Sequence, residues 1–189
     1  MIKKFLGKKN APPPVIQDMA NKQKRYEALV QAYHGDIYRY AYWLCRDKHI
    51  AEDIVQDTFL RAWRALDSLQ DEKAAKAWLI TILRRENARR FERKRFDIVD
   101  IETDTVADDV SSSSEQVIES EWLHRQIEKL SPEYKEPLLL QMVGGLSGEE
   151  IAQQLKLNKN TVMTRLFRAK NQLKEALEQQ NTIKGQSNG

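Results

Sequence analysis

In the stretch AEDIVQDTFLRAWRAL, Ala51 to Leu66, apolar positions recur at steps of three and four residues. Ala51, Ile54, Val55, Thr58, Phe59, Ala62 and Leu66 share one face, the spacing of a helix that packs on a core. At about 100° per residue, the opposite face carries Asp53, Gln56, Asp57, Leu60 and Arg64. A solvated face usually scatters Lys and Glu. This one is a compact patch of short carboxylates, one amide and an outward leucine.

The same 3.6-residue period runs from about Gln23 to Arg95 with few breakers. YEALVQAYHGDIYRYAYWLCR predicts one or two helices meeting near His34 and Gly35. ALDSLQDEKAAK predicts a break, and KAWLITILRRENARRFERKR a helix that is apolar in its first half and arginine-rich in its second. Ahead of this bundle, residues 1–22, with Pro12, Pro13 and Pro14, read as a disordered or extended basic arm. Behind it, low apolar content and the run Ser111 to Ser114 predict a flexible acidic and serine-rich linker over 97–117.

A second helical unit follows over 118–180, with a disordered tail at 181–189. EQVIESEWLHRQIEKL brings Val117, Ile118, Trp122, Ile127 and Leu130 near one stripe. Ser131-Pro132-Glu133 is a start signal, since Ser can cap, Pro fits the first helical position and Glu favours the first turn. Pro137 predicts a kink or a late start there, and Gly144-Gly145 a stop. Ser147 and Glu150 have the spacing of a capping box. It opens EEIAQQLKL, with Ile151, Ala152 and Leu155 facing inwards. After the short polar turn LNKN, Asn160 or Thr161 caps a last helix with Val162, Leu166, Ala169, Leu173 and Leu177 along its core side. The expected fold is all-α: two small helical domains, 23–96 and 118–180, joined by the linker.

SGEEIAQQLKLNKNTVMTRLFRAK has the layout of a helix-turn-helix: a short first helix with a small residue at Ala152, a tight turn, and a second helix with polar and basic residues at its N-terminal end. There Met163, Thr164, Phe167, Arg168 and Asn171 lie away from the core stripe, and Arg165 flanks it. Arginine can pair bidentately with guanine edges, and threonine or an aromatic ring can meet a thymine methyl.

Charge sharpens this picture. The formal net charge of the 189 residues is only +3, but Arg84, Arg85, Arg89, Arg90, Arg93, Lys94 and Arg95 stand within a dozen positions against Glu86 and Glu92. Phe91 and Phe96 interleave with them, which suits phosphate neutralisation combined with base stacking. The acidic run DIVDIETDTVADD follows at once, and opposite blocks in succession mark a functional boundary.

Other chemistries find little support. His34, His49 and His124 are scattered, without the Cys or carboxylate spacing of a zinc site. Neither GxGxxG nor GxxxxGK[ST] occurs, so no phosphate-cradling loop is expected, and neither a cofactor nor a catalytic group is. Glu52-Asp53 and Glu149-Glu150 fall in first turns of helices, where the helix dipole accounts for them. Cys45 is the lone cysteine, expected as a buried small apolar residue in a reducing cytoplasm. No run approaches the roughly 18 apolar residues of a membrane span, and the basic start lacks the apolar core of a secretory signal.

AEDIVQDTFLRAWRALDSL, the helix led by AWLITIL into an arginine cluster, and GLSGEEIAQQLKLNKNTVMTRLFRAKNQLKEAL together resemble the extracytoplasmic-function (ECF) group of bacterial sigma-70-type sigma factors. The resemblance covers about 23–95 and 118–178 in the family's order. It implies sigma regions 2 and 4, non-enzymatic and cytoplasmic, that bind core RNA polymerase and direct it to promoter DNA. It assigns Asp53, Gln56, Asp57, Leu60 and Arg64 to the β′ clamp helices, and region 4 to the β flap. It assigns Asp67 to Ala77 to capture of a flipped −10 base, whose extrusion costs a few kcal/mol that a pocket must offset. Arg84, Arg85, Arg89, Arg90 and Arg93 would hold nearby −10 phosphates. Met163, Thr164, Phe167 and Arg168 would read the −35 element, with Arg165 and Lys170 nearer the backbone. An anti-sigma protein is a further implied partner. In the family pattern WLxxIAxN the asparagine falls where Arg85 stands, with Asn87 two residues on, and Met163 replaces a common Lys or Arg. A stand-alone helix-turn-helix regulator is the second reading; it has no need of the outer face at 51–66.

Overall fold

The computed structural model describes residues 14–97 and 115–187, with side chains described over 19–92 and 119–180. Helix α1 (Pro14–Cys45) is followed by α2 (Lys48–Ala65), two short 3-10 turns (Leu66–Ser68 and Glu72–Ala74) and α3 (Ala75–Asp97). The second unit holds α4 (Glu115–Lys129), α5 (Pro132–Met142), α6 (Gly148–Leu155) and α7 (Lys159–Ser187). Among the described residues there is no strand.

The first unit is a three-helix bundle in which α2 packs on both α1 and α3. Every position on the expected inner face of α2, from Ala51 to Leu66, is buried. Thr58 is tolerated there because its hydroxyl donates to the Ile54 carbonyl at 2.6 Å, leaving no orphaned polar group. Facing it, α1 contributes Leu29, Ile37, Tyr40 and Ala41, and α3 contributes Leu79, Ile80, Ile82 and Leu83. Tyr26 fixes the far end: its hydroxyl donates to the Phe59 carbonyl at 3.2 Å and its ring meets Trp63 edge-on at 5.1 Å.

Several expectations change. Of the one or two helices expected around His34 and Gly35 the structure has one, α1, which passes through both. Gly35 has open space around it. Its helix penalty of about 1 kcal/mol is outweighed by the burial of Ile37, Tyr40 and Ala41 just beyond. The helix also begins at Pro14, a residue that suits a first turn, so 14–22 are helical and not part of an arm. Residues 1–13 lie outside the described residues, as do 98–114 of the expected linker and the tail end at 188–189. Residues 115–117 begin α4 and 181–187 continue α7.

In the second unit α5 starts at Pro132 and continues through the buried Pro137 to Met142. Ser131 is its N-cap without a side-chain bond; its carbonyl instead accepts from the amides of Tyr134 and Lys135, both at 2.9 Å. Gly145, at φ +68, turns the chain after α5. Helix α6 opens on the expected box: Ser147 N–H donates to Glu150 at 2.8 Å and Glu150 N–H to the Ser147 hydroxyl at 3.3 Å. It closes with Lys156 in the left-handed region at φ 55 and Leu157 N–H donating back to the Ala152 carbonyl at 2.9 Å. Asn158, not Asn160 or Thr161, caps α7: its side chain accepts from Thr161 N–H at 2.7 Å. The α7 stripe is buried at Val162, Leu166 and Ala169 but half-buried at Leu173 and exposed at Leu177.

The units share one buried apolar cluster. The Gly144-Gly145 turn lies against α3, where a Cβ on Gly144 would come within 3.1 Å of Ile80 Cδ1 and one on Gly145 within 2.9 Å of Lys76 Nζ.

Candidate nucleic-acid interface

On α2, Asp53, Gln56, Asp57, Leu60 and Arg64 are all exposed, Leu60 at 56%. A partner seated on this face would remove Leu60 from water, worth about 1.5–3 kcal/mol for a fully buried leucine. Beside it, His34, Gly35, Tyr38, Glu52, Val55 and Gln56 line a shallow cleft between α1 and α2 of about 280 Å³.

The basic helix α3 places Arg85, Arg89 and Arg90 in solvent, with Arg84 half-buried; Arg93 lies on α3, its side chain outside the described residues. Phe91 is 57% exposed among them. Glu86 is the exception, buried at 8% exposure. It accepts from Arg61 of α2 and from Arg89 at 2.8 Å, so part of the positive charge is spent on holding α3 to α2. Arg90 reaches Asp53 of α2 at 3.3 Å. The arginine block is thus a mixed element, structural on one side and free on the other. Glu86 went unassigned in sequence, although a carboxylate one turn before Arg89 in so basic a run is a signal of internal pairing.

The loop Asp67 to Ala77 does line a cavity. Lys24, Arg25, Ala28, Leu29 and Tyr33 of α1 face Leu66, Leu69, Glu72 and Ala75 across about 380 Å³. Arg25 donates to the Leu69 carbonyl at 3.3 Å, and Lys22 pairs with Asp67 at 2.6 Å. Two bonds therefore tether the loop to α1.

On α7, Met163 and Phe167 are 52% and 65% exposed, and Thr164, Arg168 and Lys170 are exposed with them. Thr164 donates back to the Asn160 carbonyl at 2.9 Å. Helix α5, which carried no assigned site residue, orients the arginines: Glu133 pairs with Arg165 at 3.7 Å and the Tyr134 hydroxyl accepts from Arg168 at 3.3 Å. These residues and Asn158 surround an open polar groove of about 400 Å³. The first turns of α7 present donors along one edge, as a recognition helix does.

Cys45 is half-buried, its thiol donates to the Asp47 carbonyl at 3.3 Å, and burial pushes its pKa up. That is the opposite of a reactive cysteine. Among the described residues no helix is long and apolar enough to cross a membrane.

The described residues thus form an all-helical protein of two units, the second carrying a helix-turn-helix. The family model for Sigma-70 region 2 matches residues 29–96, and that for Sigma-70 region 4 matches residues 120–173. The ECF RNA polymerase sigma factor SigM of Bacillus subtilis is 30% identical over 152 residues, 78% of this chain and 92% of that protein. RNA polymerase sigma factor SigV of the same organism is 31% identical, over 80% and 92%. The solved sigma factor RpoE from Bartonella quintana, in complex with the anti-sigma factor NepR, superposes with a TM-score of 0.64 at 27% identity, covering 82% of this chain and 98% of that one. CnrH, in complex with the cytosolic domain of CnrY, shares the fold at a TM-score of 0.62. The chain belongs to the extracytoplasmic-function sigma factors of the sigma-70 family, which give RNA polymerase promoter-specific transcription. A stand-alone helix-turn-helix regulator is not favoured, because the region 2 match lies wholly outside the helix-turn-helix.

Proposed function

We propose that this protein docks on core RNA polymerase through the outer face of α2, melts the −10 element with α3 and the 67–77 loop, and reads the −35 element with α7. The carrying observation is Leu60, exposed beside Gln56 and Asp57 on a helix whose other face is fully packed. Asp53, Gln56, Asp57, Leu60 and Arg64 form the contact with the β′ clamp helices. Arg84, Arg85, Arg89, Arg90 and Arg93 neutralise −10 phosphates, and the cavity edged by Lys24 and Arg25 receives the extruded base. Its volume falls in the range of small-ligand sites, about 300–1,000 Å³.

In region 4, Met163, Thr164, Phe167 and Arg168 meet base edges in the major groove, while Arg165 and Lys170 meet phosphates and the unit seats on the β flap. The partners are core polymerase, promoter DNA and an anti-sigma protein; the last is supported by the likeness to the RpoE partner of NepR. The site of action is the bacterial cytoplasm. Run-off transcription with purified core polymerase tests the reading. Specific starts that depend on added protein support it, and core binding by Leu60→Asp equal to that of wild type overturns the docking assignment.

A further inference from the structure

Tyr134 belongs to α5, outside the helix-turn-helix, yet it lines the groove beside the first turns of α7. Its hydroxyl accepts from Arg168 Nη1 at 3.3 Å. The two side chains are held very differently. The tyrosine is half-buried and packs against the apolar core, and its backbone N–H donates to the Ser131 carbonyl at 2.9 Å. The arginine is exposed, and arginine is among the side chains with most rotamer freedom to lose. A ring with two torsions on a packed helix is therefore the fixed member of the pair, and the guanidinium the held one. The bond also selects an edge. A guanidinium offers five N–H donors in a rigid fork. Engaging Nη1 leaves Nε and Nη2, two parallel donors, as the pair that can meet guanine O6 and N7 together. The neighbouring side chains are occupied otherwise: the Thr164 hydroxyl donates to the Asn160 carbonyl of its own helix, and Arg165 faces Glu133 at 3.7 Å.

We propose that Tyr134 is a positioning residue for promoter recognition: it presets Arg168 to read one guanine of the −35 element through the edge that its hydroxyl leaves free. The inference rests on the reading of Arg168 as a −35 base contact and adds to it a residue that touches no base. An arginine on a mobile stem can turn to a phosphate, a purine edge or water, and the freedom it loses on binding lowers affinity. An arginine already held has given up part of that freedom before DNA arrives. Its gain falls on the base it is aimed at. Contacts to phosphate, which every sequence offers alike, gain nothing in discrimination. Tyr134 therefore acts on sequence preference and not on overall affinity, although it lies 34 positions ahead of the residue it serves.

The test measures the affinity of holoenzyme, assembled from purified core polymerase and the full chain, for promoter templates carrying each base in turn at every −35 position. Arg168→Ala locates the position that Arg168 reads, as the one where discrimination collapses, and that position is a G·C pair. Tyr134→Phe keeps the ring and removes only the hydroxyl. It lowers discrimination at that same position by about threefold to tenfold, and at no other. In the Arg168→Ala background it has no further effect, because the two residues act through one contact. The salt slope of binding stays that of wild type, whereas loss of a phosphate contact would reduce it by about one. Wild-type discrimination in Tyr134→Phe overturns the proposal. So does an equal loss on every template, the mark of a phosphate contact or of general destabilisation, and an A·T pair at the Arg168 position overturns the choice of edge. Arg168→Ala with discrimination intact at every position overturns the reading of Arg168 itself and the proposal with it, a result distinct from the others.

Discussion

Glu86 of α3 pairs with Arg61 of α2, a buried carboxylate met by a half-exposed guanidinium. The bond joins the helix assigned to polymerase with the helix assigned to DNA, and Arg89 completes it from the next turn. Glu86→Ala leaves Arg61 and Arg89 without their shared carboxylate. Because Arg61 can turn to water, the expected loss is about 1–3 kcal/mol and not that of a fully buried pair. A chemical-denaturation midpoint unchanged from wild type would refute it.

Leu60→Asp places a charge where a partner is expected to remove a leucine from water. The residue is exposed, so thermal stability stays within about 0.5 kcal/mol of wild type. Affinity for core polymerase falls by a factor of ten or more in a binding titration, and Gln56→Ala weakens it in the same direction.

Arg168→Ala removes a donor that reaches into the groove from a fully exposed position. Transcription from a −35-dependent template drops several-fold, while a template independent of the −35 element is unaffected. Lys170→Ala lowers affinity across all sequences and reduces the salt slope of DNA binding by about one.

His124 supplies a pH dependence. Burial first, then the charge of Arg46, holds its imidazole below the ordinary 6.5; the Trp43 carbonyl and Glu128 oppose this and Lys135 adds to it. The packed state therefore favours the neutral ring. Above pH 6.5 the ring is neutral in folded and unfolded chains alike, and its packing contributes in full. As pH falls below 6.5 the unfolded chain takes the proton first, and this contribution declines until the folded value is passed. Melting temperatures recorded from about pH 7.5 to about pH 5 should fall more steeply for wild type than for His124→Phe. Parallel curves would show that His124 plays no part.

Ser147→Ala removes one half of the capping box that opens α6. The expected cost is about 1 kcal/mol, read as a lower melting temperature, with weaker −35 recognition because α6 braces α7.

The inner face of α2 and the capping box were legible in sequence because each depends on spacing within one helix. The continuity of α1 was left open between one helix and two, because a glycine beside a histidine permits either until Ile37 and Ala41 are seen buried past it. Asn158 escaped notice as a cap because Lys156 adopts the left-handed conformation usually given to glycine, which shortens the turn. Leu177 fits the apolar period yet lies exposed, since a repeat along one helix carries no information on where its partner helices end. The side chains that aim Arg165 and Arg168 come from α5, more than thirty residues earlier. The Arg84–Gln154 contact spans seventy positions, far beyond any local pattern.

The pairing of Arg90 with Asp53 ties the two proposed binding faces to a single thermodynamic cycle. A ligand that captures Asp53 liberates Arg90, and an anion that captures Arg90 liberates Asp53. Whatever factor the first raises the affinity for the second, the second must raise that for the first. On the proposed assignments, polymerase and nucleic acid would be mutual effectors across the contact between α2 and α3, with no conformational change larger than two side chains parting.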